Sequence, residues 1–134
     1  GDVGARVGMA VWAGKAFASS PVIGVGTAGY DAWADAHGGE DVPLHDHAHN
    51  TWLHLAACNG VVGVGLFAAI LWCALRGSAQ WARGALGSPD AGPLFALIGL
   101  TFFSLFDTLH ASQQTAAMLA ALIALSVRAR GDEA

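Results

Sequence analysis

From Thr51 to Leu75 the chain runs without a single Asp, Glu, Lys or Arg. That is about 25 residues, enough as a helix to cross a hydrocarbon layer roughly 30 Å thick. Its most apolar part is Val61 to Leu75, and Asn50 or Thr51 offers the side-chain oxygen that caps a helix start. Two shorter apolar segments follow, Pro93 to Leu109 and Thr115 to Val127, divided by Asp107, His110, Gln113 and Gln114. Only 12% of the 134 residues are charged while 54% are hydrophobic. A water-soluble domain carries about a quarter charged residues, so this deficit favours a membrane protein. The expectation is an all-α fold: a fragment of a polytopic transmembrane bundle. About three membrane helices at 51–134 would follow a helix-and-loop region at 1–50.

Charge orients that arrangement. Arg76 and Arg83 lie between the first two apolar segments, and Arg128 and Arg130 follow the third. By the positive-inside rule these ends are cytoplasmic. The acidic, histidine-bearing loop (Asp31, Asp35, Glu40, Asp46, His45, His47, His49) and the Asp107/His110 turn then share the opposite membrane face. The net charge of −4 gives no case for nucleic acid. Cys58 and Cys73 read as small buried hydrophobes. The opening Gly1-Asp2-Val3-Gly4 has neither the basic start nor the apolar core of a signal peptide, and it is expected to be the cut edge of a larger protein.

Ahead of the apolar run, residues 5–19 read as a weak amphipathic helix with Val7, Val11 and Ala18 on one side. Pro21 ends it, because the residue before proline avoids the α region. Gly24, Gly26 and Gly29 punctuate a turn, and residues 31–48 read as an exposed polar loop. The spacing of Gly24, Gly26 and Gly29 matches a dinucleotide fingerprint, but no strand–helix context surrounds it.

Several chemistries compete. His45, His47 and His49 alternate, so in an extended segment they would face one way, as ligands of a metal bound by a membrane metal-binding or transport protein. His49 with Asn50, where loop meets helix, suits a general base acting on a hydroxyl, because imidazole changes charge near neutral pH. Arg6 and Lys15 lie on the outer side, against the positive-inside trend. An arginine there offers a planar fork for phosphate oxygens, or it snorkels at the interface. Asp107 and His110, three apart, would share a helix face and orient each other or a substrate hydroxyl. Trp12, Trp33, Trp52 and Trp81 suit interfacial anchoring, with sugar stacking open to Trp33 and Trp52.

Taken together the pattern resembles the C-terminal part of the O-antigen ligase / O-antigen polymerase superfamily of bacterial membrane glycosyltransferases. It is carried by Arg6 at the head of a helix, Pro21 with Gly24 and Gly26, the turn at Gly29 and Tyr30, His49 and Asn50 with Leu53, and Gly60 with Gly63. Asn59 stands where the family commonly has an acidic residue. The resemblance covers residues 5–75 by motif and the rest by hydropathy. It implies a multi-pass protein of the bacterial inner membrane with a periplasmic catalytic loop. Such a protein transfers glycan from an undecaprenyl-diphosphate carrier to a hydroxyl of a glycan, glycolipid or protein, without metal or other cofactor. His49 would deprotonate the acceptor and Arg6 would hold the leaving diphosphate. Asn50, Gly24, Gly26 and Tyr30 would line the substrate site; Asp107 and His110, outside the motif region, join them as substrate-binding residues on residue type alone. The fragment alone would be inactive.

Overall fold

The computed structural model describes residues 2–27, 29–37, 48–83, 91–109 and 113–131. Among them there are five helices and no strand: α1 Asp2–Ser19, α2 Tyr30–Ala36, α3 Thr51–Trp81, α4 Gly92–Phe103 and α5 Gln113–Gly131. The all-α expectation holds. Among the described residues only α3 is long and apolar enough to cross a membrane. α4, with 12 residues, rises about 18 Å, and the apolar part of α5 ends at Ser126.

The chain divides into two compact units. The first comprises Gly1–Leu66 with Ser104–Thr108, and the second Phe67–Phe103 with Leu109–Ala134. In the first, Ala13, Ala16, Tyr30, Ala48, Ala57 and Cys58 form the core, edged by Trp12, Val25, Trp33 and Leu53. α1 turns Met9, Ala13 and Ala16 inward, whereas Val3, Val7 and Val11 are exposed. The side of α1 read as its apolar face is therefore its outer one. Small residues won the inner side because α1 packs closely on α2. The stretch 31–48 is also not all loop: Tyr30–Ala36 is helical. Alternating alanines supply the propensity, Asp31 sits favourably in the first turn, and the Tyr30 hydroxyl donates to the Met9 carbonyl at 2.9 Å.

In the second unit Ala74, Leu97, Leu100, Leu109 and Leu122 make the core. Gly77, Ser78, Gly87, Ser88 and Pro89 make Arg76 to Gly92 read as a short loop in sequence, but α3 continues through Arg76, Gly77 and Ser78 to Trp81. Tertiary packing overrides the weak propensity of this stretch. Gly77 is buried and a side chain there would press on the Ser126 carbonyl of α5. Cys58 is buried as expected, but Cys73 is exposed. α4 ends at Phe103, so Asp107 lies outside the helix. His110 itself lies outside the described residues, as do His45, His47 and the side chains of Trp81, Arg128 and Arg130.

Candidate functional site

The site is built around a fault in α3. Gly60 has φ 62° and ψ −162°, a region open in practice only to glycine, and the helix breaks there. A break strands backbone groups on both sides. The glycine turn takes them up. The amides of Val25 and Gly26 donate to the carbonyls of Ala57 and Cys58, each at 2.9 Å. In return the amides of Val61 and Val62 donate to Pro21 and Val22, at 2.9 and 3.3 Å. The approach is so close that a Cβ at Gly24 (φ 71°) would strike Cys58 and Asn59, and one at Gly60 would strike Val22 and Ile23. Thr27 is tied to the same place by the amide of Asn59, at 3.0 Å. The glycines thus serve backbone-to-backbone contact within the first unit.

At the other end of this half-helix Asn50 is the cap. Its Oδ1 accepts the Leu53 amide at 3.0 Å, while its Nδ2 donates to the Leu105 carbonyl at 2.7 Å. Thr51 donates its amide to Ser104 and Asp107 and its hydroxyl to the Asp107 carbonyl, the last at 2.9 Å. Trp52 Nε1 donates to the Ser104 hydroxyl at 2.9 Å. The turn 104–108 is thereby clamped onto the start of α3, although more than fifty residues separate them in sequence. We expect Asn50→Ala to cost about 1 kcal/mol, the usual loss of a helix cap, and more if the Leu105 carbonyl goes unpaired. Chemical denaturation in detergent measures it, and an unchanged midpoint would show that the cap is replaceable by water.

The clamp delivers a carboxylate to His49. Asp107 Oδ1 lies 3.5 Å from His49 Nδ1, and it also accepts the Thr108 amide at 2.7 Å, which fixes its rotamer. His49 has φ 48°, the only positive φ outside glycine among the described residues. A side chain in that conformation is held against a local energy cost, as functional residues often are. The two side chains are 25% and 43% exposed, so the pair faces solvent and its Coulombic energy is small.

Tyr30 stands deeper, against His54 with ring centroids 6.0 Å apart. Its phenol is pushed up to about 12 by burial first, then by Asp31 and Cys58. The unfolded chain releases this proton near pH 10, the folded chain only near 12. Stability should therefore fall as pH rises through that interval and be unaffected below it. Tyr30→Phe should remove this alkaline step and cost about 1 kcal/mol at neutral pH through the lost bond to Met9. Unfolding followed across pH 8–12 tests both statements.

Arg6 is exposed in the first half of α1. Lys15 lies 4.0 Å over the ring of Trp12. Trp12 meets Trp33 edge to face, and Trp33 stacks on His37 at 4.3 Å. No three His, Cys, Asp or Glu side chains converge as metal ligands among the described residues. Sequence reasoning proposed Asp107 but gave it a helical partner in His110. It named Thr51 as a helix cap and Trp52 as an anchor or stacking platform, but missed Ser104 and the bonds that tie all three across the chain, which leave no periodic signal. No family model, no curated protein and no solved structure matches this chain.

Proposed function

We propose that this chain is the C-terminal part of a multi-pass membrane glycosyltransferase of the O-antigen ligase or polymerase type. It moves glycan from an undecaprenyl-diphosphate carrier to an acceptor hydroxyl at the periplasmic face of the bacterial inner membrane. The observation that carries the reading is the His49–Asp107 pair, clamped at the head of the one helix among the described residues that is long enough to span a bilayer. That helix is mostly exposed along its apolar length, which a core helix of a water-soluble protein would not be.

In the proposed reaction the carboxylate holds Nδ1 of His49, leaving Nε2 to take the acceptor proton. The acceptor oxygen attacks the anomeric carbon as the bond to the carrier diphosphate breaks. Negative charge grows on the departing diphosphate, and Arg6 supplies the planar cation suited to it. Attack opposite the leaving group inverts the anomeric centre. Asn50 holds the loop that presents His49.

The test is glycan transfer in cells making the whole protein, comparing His49→Asn with His45→Ala and His47→Ala at equal membrane abundance. Loss confined to His49 supports the reading. Equal loss at all three, with sensitivity to chelator, would replace it by a metal site. Asp107→Asn should have a milder effect. A solvent-facing pair is worth about 0.2–1 kcal/mol, so transfer should fall by no more than about fivefold. A loss as deep as that of His49→Asn would make Asp107 itself a proton-transfer group.

A further inference from the structure

The turn that repairs the break in α3 also carries an apolar surface that the reaction does not use. Val22 and Ile23 are 58% and 70% exposed, and Val61 and Val62 are 54% and 50% exposed. They form one patch, because the amides of Val61 and Val62 bond directly to Pro21 and Val22. No residue from Ser20 to Thr27 is charged.

Span length fixes where this patch lies. From Val61 to Leu75, just before Arg76, the helix rises only about 22 Å, some 8 Å short of the hydrocarbon thickness. If α3 crosses the bilayer, as the proposed function requires, with Arg76 and the polar Ser78 and Gln80 beyond it at the far surface, the missing depth comes from the other side of Gly60. The break and the turn docked on it then sit below the hydrocarbon surface. Irregular backbone survives there only when its polar groups are paired. The reciprocal bonds between Val25, Gly26, Ala57 and Cys58, and between Pro21, Val22, Val61 and Val62, meet that requirement at the break.

We infer that the turn Pro21–Gly26 dips into the outer leaflet, with lipid acyl chains covering Val22, Ile23, Val61 and Val62. The half-helix from Thr51 to Asn59, about 13 Å long, leads from the break to His49.

The experiment places single nitroxide labels at residues 23, 66 and 35 in the whole protein, with Cys73→Ser, in phosphatidylethanolamine/phosphatidylglycerol nanodiscs. Collision rates with oxygen and with a water-soluble nickel chelate are then compared. Leu66 is 63% exposed on the proposed span, and Asp35 is exposed at the end of α2. The expected result is that position 23 behaves like 66, open to oxygen and shielded from nickel, while 35 is open to nickel. Nickel access at 23 with 66 shielded would overturn the inference and leave the span intact. Shielding of 23 from both reagents would assign the patch to another protein segment and overturn it too. Nickel access at 66 would overturn the membrane reading and this inference together.

Discussion

Replacing His49 by asparagine is expected to lower glycan transfer about 10²- to 10⁴-fold, the range for losing a general base. Carrier-linked glycan should accumulate, with the amount of folded protein in the membrane unchanged. Asparagine is chosen because it tolerates the left-handed backbone that His49 occupies, where alanine would add strain to the chemical loss. It also keeps a polar side chain beside Asp107, so the clamp of turn 104–108 on α3 should persist. The readout is surface glycan against undecaprenyl-linked material at matched abundance. Transfer within a few-fold of wild type would remove His49 from the proton transfer and with it the proposed mechanism.

The second large effect is expected at Gly60. A Cβ there is doubly excluded, by a backbone conformation that costs a non-glycine residue about 1–3 kcal/mol and by the Val22 backbone directly opposite. Relief by movement would break the bonds from Val61 to Pro21 and from Val62 to Val22, each worth about 1 kcal/mol. Gly60→Ala should therefore destabilise the first unit by about 3 kcal/mol or more, with loss of activity following from misplacement of the turn. Gly65→Ala is the matched control. Nothing lies within 4 Å of a Cβ at Gly65, and the residue is inside the helix. Alanine there should be neutral or stabilise by about 0.5–1 kcal/mol. Thermal unfolding in detergent compares the two. Equal stability of Gly60→Ala and wild type would mean that α3 runs straight through position 60, and the docking of the glycine turn would fall with it.

Much of this arrangement was legible in the chain. Absence of charge from Thr51 to Leu75 dictates a long apolar helix, and Asn50 with its cap follows from side-chain chemistry that acts over three residues. Pro21 ends α1 region locally, and the glycines of the next turn announce an unusual backbone. These are short-range effects, so sequence encodes them directly. The reading failed where a neighbour distant in sequence decided the outcome. Tyr30 pinned to Met9 makes a helix of residues taken for loop. Ser126 lying against Gly77 lets α3 run on to Trp81. Which side of α1 faces the core was decided by α2, against which alanines and a methionine pack while Val7 and Val11 stay exposed.

The site divides in the same way. His49, Asn50 and Asp107 could each be nominated from residue type and position, since only a few side chains move protons near neutral pH. That Asp107 belongs with His49 was decided by Thr51 and Asn50 reaching the turn 104–108, a pairing across 58 positions for which no local pattern exists. The glycines tell the same story: sequence marks them as backbone that needs freedom, and the tertiary structure supplies the reason. Gly24 and Gly60 face each other's strands of backbone, and a side chain at either would hold the turn away from the broken helix. Local propensity and capping set the helices. Contacts between residues far apart in sequence set where they break, which faces they bury and which carboxylate meets the histidine.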